Sequence, residues 1–381
     1  MKIVGATVLE YVRKLDGRSW NPVSRWTERR APLLLLHVDN GLTGVGEAWS
    51  KQDEIVRVLD LLALRVVPAI TGIKIRGPDD IVRISDTYRD EIAGALEWVL
   101  PAAVSALDIA MWDLLAKSQQ RPLWNALGGM SGNGRVYASG GLYRDGTGLD
   151  ELAAEVRGYI GKGFRDVKMK VGALPLTQEL QRVRAVREAM GVAGRLWVDA
   201  LNRLDPSTAV RDAAALRDAG ASAIQAPVAF DDIQAMVRIN AKALPVVAGE
   251  TDWQPGRYAE LAASKAVSFV QLNLGLCGGF SGAQRSARAM HSGVVPFTLQ
   301  THGTAVLQSA ALHFGAATAA VDCSEFHCFH NHLGWLLEGH TVIDDGRMVV
   351  DDEPGLGIGT PQPGAQRDGG EIRRHCPFPD C

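Results

Sequence analysis

The stretch DVKMKVGALPLTQELQRVRAVREAMGVAGRLWVDAL, residues 166–201, decides the fold class. It begins with a short apolar run at 166–171 and ends with a second one at 195–201. Between them, residues 175–190 carry apolar side chains three and four positions apart, which is the period of an amphipathic helix. This order of strand, helix and strand predicts a βαβ unit with two parallel strands.

The same rhythm continues on both sides of this unit. Further short apolar runs are VYAS (136–139), AIQAP (223–227), VVAGE (246–250), SFVQLN (268–273), VVPFTL (294–299) and AAVDCSE (319–325). Helical stretches such as DELAAEVRGYIGKG lie between runs. Strands spaced about 25 residues apart are typical of βα units. Eight of them favour a closed (β/α)-barrel over an open doubly wound sheet.

The N-terminal part has a different pattern. KIVGATVLEYVR alternates between apolar and polar residues, and APLLLLHVDNGLTGVGEAW contains two apolar runs around Asn40-Gly41. Asn-Gly between apolar runs is a strong hairpin signal. From about residue 53 to 127 the pattern is helical and stops at Gly128-Gly129. The chain therefore divides into an α+β unit, residues 1–130, and a barrel, residues 131–352.

Composition limits the function classes. The chain has 381 residues, 46% of them hydrophobic, and a net charge of −3, which favours neither a nucleic acid nor a membrane surface as partner. The N-terminus MKIVGATVLEYVRKL lacks the basic and apolar regions of a signal peptide. The five cysteines show neither CxxC spacing nor the density of a disulfide framework. These features predict a soluble, cytoplasmic protein.

Polar residues fall at the same level of successive predicted strands. Because the working residues of such barrels lie at the carboxyl ends of the strands, these side chains should converge on one rim. Carboxylate and carbonyl oxygens are the ligands that Mg²⁺ prefers, and two lysines on one strand face should lower a pKa. Any one of them alone could be a loop cap or a solvated residue. The set is Lys168, Lys170, Asp199, Gln225, Glu250, Asn273, His302 and Glu325.

These motifs resemble a known family over nearly the whole chain. The first segment shares LLLLHVDNGLTGVGEAW and SALDIAMWDLLAKSQQRPLWNALGG with it, and the barrel shares VKMKVG, WVDALN, a Gly-Glu pair at 249–250 and a His in the seventh unit. The chain resembles the mandelate racemase branch of the enolase superfamily. The resemblance implies a capping domain, residues 1–130, completed by the tail at about 353–381, on a modified TIM barrel.

The resemblance also implies a half-reaction. A base removes the proton next to a carboxylate, and Mg²⁺ stabilises the resulting enediolate. By position, the implied metal ligands are Asp199, Gln225 and Glu250.

The implied catalytic groups surround this ion. Lys170 would be the base on one face of the substrate, and Lys168 would neutralise the substrate carboxylate. His302, oriented by Asn273, would act on the opposite face as base or acid. Glu325 would hydrogen-bond the developing enediolate.

Two positions depart from the family pattern. The fourth strand ends in Gln225-Ala226-Pro227 where the family has a Glu-Glu-Pro-like motif, so any Mg²⁺ should bind more weakly. The sixth strand ends in Asn273 where the family has an Asp that pairs with the His. An amide can orient an imidazole but cannot stabilise its charged form as a carboxylate does. His302 is therefore expected to be neutral and a weak general acid.

Three functions remain open. The first is a lyase that dehydrates an acid sugar or related hydroxy acid. The second is a racemase or epimerase, which needs two competent bases and is weakened by Asn273. The third is a barrel that has lost catalysis and binds a ligand. Each of these proteins would take a small carboxylate as its ligand. The cap loop at 15–30 should cover that ligand. The family tends toward symmetric oligomers, so a homo-oligomer is expected.

Overall fold

The computed structural model describes residues 1–94, 97–290, 295–329, 331–338, 341–350 and 352–377. Eight parallel strands close into a barrel, which confirms the predicted fold, since the eighth strand pairs with the first through Glu325 and Tyr137. Residue 294, which begins the predicted seventh strand, lies outside the described residues. In order, the barrel strands are Asn133–Ser139, Asp166–Lys170, Leu196–Asp199, Ala223–Gln225, Val246–Ala248, Phe269–Asn273, Phe297–Gln300 and Val321–His327.

A helix follows each of the first seven barrel strands. Their bounds are Leu149–Gly161, Leu176–Met190, Ala209–Asp218, Ile233–Lys242, Pro255–Ala263, Gly279–Ala289 and Ala305–Ala317. After the eighth strand, the hairpin Thr341–Asp344 and Arg347–Val350 adds to the first strand in antiparallel register. The barrel strands are buried on both faces, so they appear in the sequence as short apolar runs.

The cap contains a five-stranded antiparallel sheet. The hairpin predicted around Asn40-Gly41 joins two of its strands, and the C-terminal tail returns to pair with the first strand, Leu9 opposite Arg374. This return agrees with the predicted completion of the cap by the tail, although the exact domain boundaries stay a prediction. In sheet order, the strands are Gln366–Arg367, Gly370–Arg374, Ile3–Lys14, Glu28–Val38 and Thr43–Glu47.

The long helix Val99–Ser118 is the core of the cap. By length and composition it could cross a membrane, but it is buried inside the protein from Val99 to Ala116. It packs closely on the strand Thr43–Glu47, where a Cβ atom at Gly46 would lie 2.0 Å from the Ala106 carbonyl oxygen. Gly44 of GLTGVGEAW meets the same helix at the Ala110 carbonyl oxygen, so both positions require glycine. The other cap helices are Ile55–Leu61, Val67–Ile70, Pro78–Asp86, Arg89–Ala93 and Leu123–Ala126.

The cysteines differ partly from expectation. Cys277, Cys323 and Cys328 are free thiols, as predicted. Cys376 is disulfide-bonded, which the sequence analysis did not anticipate. The cysteines therefore do not support the cytoplasmic location, which stays a prediction.

Candidate active site

A cavity of about 650 Å³ lies between the carboxyl ends of the barrel strands and the cap. Arg25, Trp26 and Trp49 line it from the cap side. The cap loop therefore covers the barrel mouth, as predicted. Five of the predicted site residues form the barrel side of the wall: Lys168, Lys170, Glu250, His302 and Glu325.

The two lysines of the second barrel strand enter the barrel side by side. They are two residues apart, so their side chains point to the same face of the strand. Lys168 is 2% exposed and its Nζ lies 2.6 Å from Glu325 Oε1. The Lys170 ammonium donates to Asp199 Oδ2 at 2.5 Å. Both lysines are thus held by carboxylates from other strands.

The surroundings of Lys168 favour its charged form. Burial alone lowers the pKa of this lysine, but the Glu325 carboxylate, with Tyr137 and Asp199, holds that pKa well above its usual value. The Tyr137 ring lies 5.6 Å below the ammonium group. The charged form of Lys168 is therefore favoured, which suits this buried lysine to binding an anion.

The ends of strands three, four and five meet beside the lysines. Asp199 and Gln225 are fully buried, and the Gln225 amide nitrogen donates to Glu250 Oε2 at 2.6 Å. The Gln225 carbonyl oxygen accepts from Lys168 Nζ at 3.0 Å. Burial, followed by the neighbouring Asp199 carboxylate, raises the pKa of Glu250 to about 7. The three predicted strand-end side chains are thus brought together.

Strand eight contributes a carboxylate and an imidazole. Burial would raise the pKa of Glu325, but Lys168 and then His327 hold it well below its usual value. Its second oxygen accepts from the Thr301 backbone N–H at 3.1 Å. His327, which the sequence analysis did not assign a role, lies 3.4 Å from Glu325 and lines the cavity. Because residues two apart on a strand share a face, its position two residues after Glu325 could have indicated from the sequence that His327 lies beside that carboxylate.

His327 is neutral and faces His302. Burial lowers the pKa of His327 to about 4, against the attraction of Glu325. The two imidazole rings meet edge to face, with centroids 5.5 Å apart. The amide oxygen of Asn273, the predicted partner of His302, accepts from the Gly275 N–H at 3.0 Å. The pairing of Asn273 with His302 stays a prediction.

One barrel carboxylate holds the cap loop in place. Asp145 accepts hydrogen bonds from the Trp20 indole at 3.0 Å and from Arg25 at 2.6 Å. Its backbone oxygen accepts from Arg18. Trp20 stacks on Tyr143 with ring centroids 4.5 Å apart, so this tryptophan anchors the loop. The sequence did not predict that Asp145 is the partner of this loop.

A second contact joins the cap to the loop that carries His302. Glu47, the last residue of its strand, accepts from the Thr304 N–H and hydroxyl at 2.8 and 2.6 Å and from the Leu307 N–H at 3.0 Å. These groups begin the helix Ala305–Ala317, so the carboxylate caps its N-terminus. Glu47 thereby fixes the start of this helix close to His302.

Glu47 should make stability depend on pH. Burial raises its pKa to about 7, against the neighbouring Thr304 and Arg29. A carboxyl group whose pKa is raised in the folded state stabilises that state fully at pH values below the pKa of the unfolded state. It loses this contribution as the pH rises toward 7. The difference in free energy of unfolding between wild type and Glu47→Gln should fall by roughly 3 kcal/mol from pH 4.5 to 7.5. Urea unfolding at several pH values measures this difference, and a constant difference would contradict the assignment.

The polar cluster under a covering loop, at the carboxyl ends of barrel strands, brings together ionisable side chains of the kind that acid–base enzymes use. Residues 11–128 match the family Mandelate racemase / muconate lactonizing enzyme, N-terminal domain, and residues 151–362 match the family Enolase C-terminal domain-like. The chain belongs to the mandelate racemase and muconate lactonizing enzyme family of the enolase superfamily, as predicted.

Named relatives carry different activities. The D-galactarolactone cycloisomerase of Agrobacterium fabrum is 31% identical over 94% of this chain and 96% of its own length. The arabinonate dehydratase of Saccharolobus solfataricus is 28% identical over 67% of this chain and 69% of its own length. A solved enolase-superfamily structure from Polaromonas sp. JS666 has a TM-score of 0.85, 25% identity, and covers 95% of this chain and 96% of that one. The relatives support an enzyme but do not distinguish a lyase from an isomerase.

Magnesium is present in some structures of this fold. One is a racemase from Streptomyces coelicolor A3(2), with a TM-score of 0.81 and 21% identity over 93% of this chain and 96% of that one. Here Asp199 Oδ2 faces Lys170, and Gln225 turns its amide nitrogen toward Glu250. Within the described ranges, no group of three His, Cys, Asp or Glu side chains is arranged to hold a metal ion. As they stand, these residues do not fit Mg²⁺, and their ligand role stays a prediction.

Proposed function

We propose that the enzyme removes the α-proton of an acid-sugar carboxylate and then expels the β-hydroxyl group as water. The observation that carries this proposal is the pair of buried lysines, Lys168 and Lys170, in the wall of the cavity under the cap loop. The family membership supports α-proton abstraction, and a relative named as a sugar-acid dehydratase supports this substrate class.

Lys168 is the group that receives the substrate's negative charge. Its ammonium is fixed by Glu325 at 2.6 Å and by Gln225 at 3.0 Å, so it needs no rearrangement to face a carboxylate. As the α-proton leaves, the enediolate gains charge close to this fixed cation, which favours the transition state. Glu325 is ionised and cannot donate a hydrogen bond to the enediolate. Its role in this proposal is to position Lys168.

Lys170 is the base. Its Nζ lies 2.5 Å from Asp199 Oδ2, and it acts as the base in its neutral form. The amine then takes the α-proton, and the C–H electron pair forms the enediolate. When the electrons return, the β-carbon–oxygen bond breaks and the departing hydroxide leaves as water. His302 lies in the wall of the same cavity and, in its protonated form, is the group proposed to give the hydroxide its proton.

A second candidate is cycloisomerisation, which the Agrobacterium relative favours because it matches nearly the full length of the chain. The same enediolate would expel an oxygen that belongs to a ring, so the product would keep the mass of the substrate. Proton abstraction by Lys170 is common to both reactions.

The test is a panel of acid sugars and their lactones incubated with the protein in D₂O. A product lighter by one water indicates dehydration, and an isomer of equal mass indicates cycloisomerisation. α-Deuterium with inverted configuration indicates the racemase or epimerase alternative. If panel members bind but none exchanges its α-proton, the protein is a ligand-binding barrel and the proposal is wrong.

A further inference from the structure

The orientation of the Gln225 side chain is fixed by its two partners. Its amide nitrogen donates to Glu250 Oε2 at 2.6 Å and its oxygen accepts from Lys168 Nζ at 3.0 Å. If the amide were reversed, its NH₂ group would face the Lys168 ammonium and its oxygen would face the Glu250 carboxylate. Both contacts would be repulsive, so only one orientation satisfies this buried group.

This orientation competes with a divalent cation. To bind one between Asp199 and Glu250, Gln225 would have to turn its oxygen away from Lys168 and present an NH₂ group to that ammonium. Asp199 would also have to release Lys170, which is 2.5 Å away. Mg²⁺ requires several oxygen ligands at about 2.0–2.1 Å in near-octahedral geometry. Every one of these changes breaks a buried hydrogen bond.

The formal charge of the cluster depends on the residue at position 225. Two ammonium groups, Lys168 and Lys170, stand against three carboxylates, Asp199, Glu250 and Glu325, which leaves one negative charge. A glutamate at position 225 would leave two negative charges, which one divalent cation would cancel. With glutamine, the same cation would leave one positive charge, so the cluster is no closer to neutrality with the cation than without it. Because a buried cluster near neutrality is the less costly one, a glutamate would need the cation and the glutamine does not.

We infer that Gln225 stands in the place of the divalent cation, its amide joining Lys168 to Glu250, so that the site assembles without a metal ion. The neutral NH₂ group gives the Glu250 oxygen the partner that a cation would otherwise give it. In this arrangement the charge of a substrate is met directly by the lysine ammonium groups, a part of the inference that rests on the proposed function.

The first test is Mn²⁺ binding, followed by electron paramagnetic resonance of the free ion. Gln225→Glu should bind Mn²⁺ on the order of 100-fold more tightly than the wild type, because it restores a carboxylate and the need for a cation. Gln225→Met keeps the side-chain volume and removes the bridge, so its affinity should equal or exceed that of the wild type. If Gln225 is a ligand, Gln225→Met must instead bind more weakly, and that result would overturn the inference.

Gln271→Met is the matched control. Gln271 is a fully buried glutamine of the same barrel that donates to the Tyr137 hydroxyl at 3.2 Å and should not affect Mn²⁺ binding. If Gln225→Met does not fold, the wild type alone decides the question. A saturable Mn²⁺ site in the wild type that Asp199→Asn removes would also overturn the inference.

The second test uses activity on a substrate found in the panel. Turnover should persist unchanged after dialysis against EDTA in the wild type, while Gln225→Glu should become dependent on added Mg²⁺. A wild type that loses activity in EDTA and regains it with Mg²⁺ would contradict the inference. A panel without any substrate would count against the proposed function only, since the Mn²⁺ measurement does not need one.

Discussion

Lys170→Met is expected to lower the exchange of the substrate α-proton with solvent by about 10³-fold, the scale of losing a positioned general base. Methionine keeps the length of the side chain and removes the amine, while Lys168 still binds the carboxylate. The measurement is deuterium incorporation at the α-carbon by NMR. Lys242→Met changes an exposed lysine at the end of a barrel helix and should leave the rate unaltered. Exchange at the wild-type rate in Lys170→Met would show that Lys170 is not the base.

His302→Asn separates the competing reactions. In a dehydratase, this variant should keep α-proton exchange and lose elimination, because His302 acts only on the leaving group. In a racemase, each of the two variants should lose exchange from one enantiomer only. Loss of exchange from both epimers in His302→Asn would contradict the assignment of proton abstraction to Lys170.

The sequence predicted those features of the fold and of the candidate site that follow from local periodicity. Alternation placed the Lys168 and Lys170 side chains on one face, and parallel strands bring their carboxyl ends to one rim. Position alone therefore located Asp199, Gln225 and Glu250 correctly as neighbours. The fold followed from the same regularity, because eight short buried strands separated by amphipathic helices leave few alternatives to a barrel.

The partners of these side chains could not be predicted. Whether Gln225 turns its oxygen or its nitrogen toward Glu250 depends on Lys168, which lies 57 residues away in the chain. The contacts of Glu47 with Thr304 and of Asp145 with the cap loop span more than a hundred residues each. No periodic pattern in the sequence indicates which residues so far apart will be in contact. Sequence analysis accordingly placed these side chains close together and missed what holds them in position.

The buried pair of Lys168 and Glu325 should be the strongest single electrostatic contact in the site. Lys168→Met leaves a carboxylate that is 1% exposed without its ion-pair partner, beside the Thr301 N–H and the neutral His327. Leaving one member of a buried ion pair without its partner costs roughly 3–5 kcal/mol of unfolding free energy. Urea unfolding of the variant measures this loss. Glu91→Gln, which breaks the exposed pair with Arg65, should cost at most about 1 kcal/mol.

The double variant Lys168→Met with Glu325→Gln decides whether the cost arises from the unpaired charge. With both charges removed, no buried ion is left uncompensated, so the double variant should recover most of the stability lost in Lys168→Met. A double-mutant cycle then gives a coupling free energy well above that of an exposed pair. If the two losses simply add, Glu325 is not held by Lys168. In that case its oxygens would be available to the substrate, and the positioning role argued for Glu325 would be wrong.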